Sequence, residues 1–131
     1  MKIGGLYTAQ IVRADESDSL GSAAERMHNH RVGSLAVFSE DRLIGIITES
    51  DLVRAMADGA NPETSTVSDY MTARPITADV DEDSKEAAQT MLALGIRHLP
   101  VAEHDRVVGI ISIRDLAVLE AWEPGEVPDY A

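Results

Sequence analysis

The sequence predicts an α/β fold of the α+β type, built from two tandem units that each run strand, helix, strand, strand, helix. Residues 34–52, SLAVFSEDRLIGIITESDL, return at 98–116 as HLPVAEHDRVVGIISIRDL, displaced by 64 positions with no gap. The match runs from Val12–Met56 against Ile76–Glu120 and is identical at 14 of 45 positions, including Ala14, Asp15, Ala23, Met27, Leu35, Gly45, Asp51 and Leu52. An ungapped internal match of this length marks a duplication. The second observation is size: 131 residues divide into units of about 60, taken as 1–60 and 61–131. A unit that small buries only about 60% of its unfolded surface and is marginal alone, so the copies are expected to share one globule with pseudo-twofold symmetry.

The elements follow in order. A strand-like piece at Gln10 to Arg13 precedes the turn formers Asp15, Ser17 and Asp18. Ser19 is a candidate N-cap, after which Leu20, Ala23, Ala24 and Met27 fall at helical spacing, predicting a helix to about His30. Strands are predicted at Ser34 to Phe38 and Leu43 to Thr48 around the turn Ser39-Glu40-Asp41. Their apolar residues are too continuous for one wet face, so both faces are expected to be buried. A helix from about Ser50 carries Leu52, Val53, Ala55 and Met56 and ends before Gly59. Residues 58–66 form the connection, Val67 to Met71 a short helical turn, and Arg74-Pro75-Ile76-Thr77 an extended start to the second copy. A helix with Ala87, Ala88, Met91 and Leu92, strands at His98 to Ala102 and Val107 to Ile111, and a helix from Arg114 to about Glu120 complete it.

Composition narrows the function. The net charge is −12 and the only lysines are Lys2 and Lys85, which argues against nucleic acid, whose phosphates require clustered Lys and Arg. No apolar run approaches the roughly 20 residues of a membrane span, and residues 1–12 show no secretory pattern. The absence of cysteine excludes disulfides and thiolate metal sites and fits a cytoplasmic protein. No nucleophile with a partnered base and no Gly-rich phosphate loop is present, so an enzyme is not expected. Asp79, Asp81 and Asp83 lack the glycine and closing glutamate of a calcium loop and read as an acidic helix start. His28 and His30 are two apart, not the four that a helical zinc pair favours, so they read as surface residues and no metal site is assigned. Trp122 reads as a packing anchor for the tail or a dimer contact.

The chemistry-bearing element is Thr48-Glu49-Ser50-Asp51, echoed by Ser112-Ile113-Arg114-Asp115, each where a strand hands over to a helix. A hydroxyl followed three residues later by a carboxylate has the form of a capping box. It also suits an anion at the helix N-terminus, with the aspartate accepting from vicinal sugar hydroxyls. The two roles can coexist.

An alanine-rich helix, a segment such as RHLPV, and then D-R-hydrophobic-hydrophobic-G-I-I-[ST]-x-x-D-L, all occurring twice, resembles a pair of cystathionine-β-synthase (CBS) domains, also called a Bateman module. The resemblance covers nearly the whole chain and implies a stand-alone CBS-domain protein. It implies copies packed through their small sheets, regulatory rather than catalytic function, no required cofactor, and an adenosine-containing ligand such as AMP, ADP or ATP bound between the copies. The family's ribose-binding aspartate maps onto Asp51 and Asp115, and its phosphate-side hydroxyl onto Thr48 and Ser112. Family precedent completes each cleft from the other copy. Asp51 would then meet Arg74 and Ile96-Arg97-His98, and Asp115 would meet Gln10 and Val32-Gly33-Ser34. It further implies a homodimer, with Leu52, Met56, Leu116 and Leu119 as a candidate patch, and an unidentified regulated protein. The alternative is a ligand-free dimerising scaffold or a detached subunit of an enzyme or transporter. The copies differ at Arg97-His98 against Gly33-Ser34 and at Glu49 against Ile113.

Overall fold

The computed structural model of the protein describes residues 2–5 and 11–116, which fall into two compact units. The first, residues 11–75, contains β1 (Arg13–Asp15), α1 (Leu20–His30), β2 (Ser34–Ser39), β3 (Arg42–Thr48), α2 (Glu49–Ala57), α3 (Val67–Tyr70) and β4 (Thr72–Ala73). Its sheet has the order β1-β2-β3-β4, with β1 parallel to β2 and the other pairs antiparallel. The second unit contains β5 (Ala78–Asp79), α4 (Ser84–Leu94), β6 (His98–Glu103) and β7 (Arg106–Ser112) in the order β5-β6-β7, and residues 113–116 are helical. A 3-10 turn at Ile3–Gly5 belongs to this second unit.

Capping starts and stops the helices where the sequence places them. The Ser19 hydroxyl accepts from the Ser22 N–H at 3.1 Å, and the Asp83 carboxylate from the Lys85 N–H at 2.8 Å, satisfying donors that the first turn leaves orphaned. Donation from Lys85 N–H holds the Asp83 carboxyl below its ordinary pKa. The rest of the acidic run is equally local: Asp79 Oδ1 accepts from the Asp81 N–H at 2.9 Å, closing a turn rather than a cation loop. Both helices end on a left-handed residue, Arg31 at φ 56° and Gly95 at φ 67°. At this position glycine is free of the Cβ clash that arginine carries.

The buried faces repeat at the same spacing as the sequence. Ala14, Ala23, Met27, Leu35, Val37 and Ile47 form one core, and Ala78, Ala87, Met91, Leu99, Val101 and Ile111 form the other. Both hairpins carry an irregularity at the same place, between Val37 and Phe38 and between Val101 and Ala102. The expectation of doubly buried strands is met at Ser34, Leu35, Ala36 and Val37 of β2 and at Leu99, Pro100 and Val101 of β6, whereas Leu43 and Ile44 of β3 and Val107, Val108 and Ile110 of β7 are only half-buried.

Each core is sealed by residues that precede the other copy in the sequence. Val67 is fully buried in the first core, where the Val67 N–H donates to Asp18 O at 2.8 Å and the Ser68 N–H to Glu16 O at 3.1 Å. Ile3 is fully buried in the second, where the Ile3 N–H donates to Glu82 O and the Gly4 N–H to Val80 O, both at 2.9 Å. β4 then lies on β3, with Ala73 opposite Gly45. A Cβ at Gly45 would stand 2.9 Å from Thr72 O and collide with the Met71 sulfur, so only glycine admits this close approach.

Three expectations need correction. The first strand is Arg13–Asp15 rather than a piece ending at Arg13, because Ala14 is the buried residue that faces the core; Gln10 lies outside the described residues. The segment at Arg74 is not continuously extended: Arg74 turns left-handed at φ 51° after β4, and the second copy's first strand begins at Ala78. The apolar patch also dissolves, since Leu116 is in the second core and Leu52 packs half-buried against the first. Of the described residues of that set only Met56 is exposed; Leu119 lies outside the described residues, as does Trp122.

Replacing Ile3 with alanine should destabilise the unit of β5, β6 and β7 by about 2–5 kcal/mol, although Ile3 precedes the first copy. Hydrogen exchange should show lost protection at Val101 and Ile111 before Val37 and Ile47; the reverse order would contradict the exchanged seal. Arg31→Gly should raise stability by about 0.5–1 kcal/mol in a denaturant melt, by relieving the left-handed arginine.

Candidate functional site

The site is built at the two points where a buried strand becomes a helix. In the first copy β3 ends at Thr48, and the Glu49 N–H donates to Gly33 O at 3.1 Å. Val32, Gly33 and Ser34 are brought there by the end of α1, where the Val32 N–H donates to Met27 O at 3.1 Å, and by the pairing of Ser34 with Thr48. The second copy repeats this: the Ile96 N–H donates to Met91 O at 2.9 Å, the Ile113 N–H to Arg97 O at 2.8 Å, and His98 pairs with Ser112. Within each unit, therefore, three residues after one helix lie against the [ST]-x-x-D that opens the next. Ser34 is buried, His98 half-buried and Arg97 exposed.

The aspartates cap their helices, as the spacing implies. Asp51 Oδ2 accepts from the Thr48 N–H at 2.8 Å and from the Thr48 hydroxyl at 3.2 Å. Asp115 Oδ2 accepts from the Ser112 N–H at 3.1 Å, while the Ser112 hydroxyl accepts from the Asp115 N–H at 3.0 Å. Cap formation fixes each carboxylate beside the helix N-terminus, where the N-terminal N–H groups and helix dipole favour an anion. The same signature occurs a third time at Thr66-Val67-Ser68-Asp69, where Asp69 Oδ2 accepts from the Thr66 N–H at 3.0 Å. That third instance opens a helix of four residues.

Arg54 escapes a reading confined to the duplicated residues. Its Nη2 lies 3.4 Å from Asp51 Oδ1 and donates to Tyr70 O at 2.9 Å, and the guanidinium sits 5.2 Å from the Tyr70 ring centroid. The Tyr70 hydroxyl in turn donates to Asp58 at 3.1 Å, and partial burial, followed by that bond, raises its pKa. The Asp51 and Arg54 spacing on one helix face is visible in the sequence; the Tyr70 partner is not. Arg74 is exposed, and its N–H donates to Ile44 O at 3.0 Å, in the same unit as Asp51. Gln10 is outside the described residues.

Among the described residues no group of three histidine, aspartate or glutamate side chains is placed to hold a metal ion. His28 and His30 are exposed in the last turn of α1, where positive charge suits the helix C-terminus, and His104 is exposed in the hairpin turn. No described helix is long and apolar enough to cross a membrane.

Comparison with known proteins agrees with this geometry. The CBS domain family matches residues 3–58 and 67–120, which restates the displacement of 64. The protein MK0525 of Methanopyrus kandleri is 30% identical over 93% of the chain, which spans 64% of that protein's length. The crystal structure of ATU1752 from Agrobacterium tumefaciens, a CBS-domain protein, superposes with a TM-score of 0.86 at 30% identity, covering 92% of this chain and 99% of that one. The CBS domain pair of protein MJ0100, solved in complex with 5′-methylthioadenosine and S-adenosyl-L-methionine, gives a TM-score of 0.84 at 28% identity, covering 92% and 95%. With two tandem matches over most of its length, this chain belongs to the CBS domain family.

Proposed function

We propose that the chain is a non-catalytic regulatory module that binds an adenosine-containing ligand, AMP, ADP, ATP or a related adenosyl compound, at the Thr48–Asp51 and Ser112–Asp115 junctions. The observation that carries this reading is the doubled junction itself: a capped carboxylate, a hydroxyl and the N–H groups of a helix start are grouped twice on the same framework. The carboxylate accepts from a ribose diol, and the hydroxyl and helix N-terminus meet phosphate or another anionic group. Val32, Gly33, Ser34, Ile96, Arg97 and His98, which flank the junctions, shape the base and phosphate ends, and Arg74 and Gln10 extend them. The MJ0100 pair supports the ligand class through the two adenosyl compounds of its complex. Binding then biases the shape or assembly of the module for a regulated protein in the cytoplasm.

A second reading, a self-associating interaction scaffold, is favoured by α2, whose Val53 and Met56 are 67% and 82% exposed. Large apolar side chains this open are candidates for an isologous contact.

A thermal-shift panel of AMP, ADP, ATP, NAD, S-adenosylmethionine and 5′-methylthioadenosine tests the first reading. A ligand at a hundred times its Kd adds about 2.7 kcal/mol of stability. Asp115→Asn should keep the cap, because the amide oxygen still accepts from the Ser112 N–H, yet weaken binding at least tenfold, and the 2′-deoxy form of the bound nucleotide should bind correspondingly less well. A full panel without a shift would reject the ligand. Met56→Glu should shift sedimentation toward monomer if α2 mediates self-association; a wild-type protein that sediments as a monomer at every concentration would remove the scaffold reading.

A further inference from the structure

The two junctions are built alike but are not chemically equal. Asp51 Oδ2 already accepts two donors, and Asp51 Oδ1 faces the Arg54 guanidinium at 3.4 Å, with the side chain of Asp51 only 14% exposed. The Thr48 hydroxyl proton is directed to that same carboxylate. In the second copy Asp115 Oδ2 accepts one donor, and Asp115 Oδ1 has no hydrogen-bond or ion-pair partner among the described residues. The Ser112 oxygen accepts from the Asp115 N–H, which leaves its proton available to an incoming anion. A carboxylate offers about four lone-pair directions, and a vicinal diol uses two of them. Asp115 has them to spare, whereas Asp51 does not until Arg54 moves.

The residue types that hold Arg54 in place do not recur at the displacement of 64. The guanidinium is tied to Tyr70 O at 2.9 Å and packs on the Tyr70 ring, whose hydroxyl reaches Asp58. In the sequence, Val118 and Trp122 stand 64 positions after Arg54 and Asp58, and Leu6 stands 64 positions before Tyr70, so none of the three polar side chains is repeated.

We infer that Arg54 is a positioning residue that makes the two diol-binding carboxylates unequal: a ribonucleoside ligand takes the Asp115 junction first, and takes the Asp51 junction only by displacing the guanidinium. Displacement frees Arg54 from Asp51 while it is still anchored on α3, so occupancy of the first copy is felt at Tyr70 and the segment leading to β4. This inference rests on the adenosine reading above and goes beyond it in assigning an order to the sites. The Arg54 side chain is 58% exposed, and such a pair is weak, so the expected change is modest, about two- to fivefold in affinity.

Isothermal titration separates the outcomes, using whichever panel compound gives the largest thermal shift. Wild-type protein should bind one equivalent tightly, and Asp115→Asn should remove that event. Arg54→Val, which installs the residue found 64 positions later, should tighten a second equivalent by about two- to fivefold, and adding Asp51→Asn to it should abolish the gain. Arg54→Lys, which keeps a charge near Asp51, should restore the wild-type inequality and so separate a competing cation from a packing defect. Two equal sites in wild type, loss of the tight site with Asp51→Asn rather than Asp115→Asn, or an unchanged second site in Arg54→Val would overturn the inference while leaving the ligand class intact. Failure of wild type to bind any panel compound would overturn the adenosine reading and this inference with it.

Discussion

The structure turns on one local constraint: a largely buried strand must end, and the helix that follows must begin, without stranding polar backbone groups at the junction. The solution is the same in both copies. The first helical N–H is taken by the carbonyl of the segment alongside, Gly33 O for Glu49 and Arg97 O for Ile113, and the strand's last N–H is taken by the aspartate three residues on. Because an unpaired buried donor costs about 1–3 kcal/mol, the carboxylate is fixed for structural reasons before any ligand arrives. On the adenosine reading, folding also fixes in advance the acceptor that the sugar would meet. Cap and proposed site then share the same atoms, and this is why capping and ligand binding need not be competing explanations of [ST]-x-x-D.

What was legible in the sequence was what is local or repeated. Helix starts at Ser19 and Asp83, the two hairpins and the paired cores follow from periodicity and capping chemistry, since each is decided within a few residues. The site aspartates were visible because they recur; the flanking segments came only from the family resemblance, which paired each with the other copy's aspartate, and their pairing with the junction of their own unit was not read. Tertiary choices were not visible. The helical period places Leu116 and Met56 on apolar stretches alike, but only packing sends one inward and leaves the other at the surface. The Arg54 to Tyr70 contact joins residues 16 apart across a loop, and no spacing rule reaches it. Thr8-Ala9 and Thr72-Ala73 also stand 64 apart, a sign that the duplicated unit begins well upstream of its first predicted strand.

The crossed seals also bear on how such a chain could have arisen. A lone ancestral repeat carrying Val67 or Ile3 ahead of its own first strand has its plug on the wrong side, positioned for a neighbour's core rather than its own. Two such molecules complete each other by trading leading segments, the geometry of a domain-swapped pair. Fusion in tandem makes that trade intramolecular, replacing a bimolecular encounter with a tether of a few dozen residues. In the tandem chain the unit of residues 11–75 carries its own plug, Val67, whereas the other unit closes only when the N-terminal segment with Ile3 reaches it from before the whole first unit.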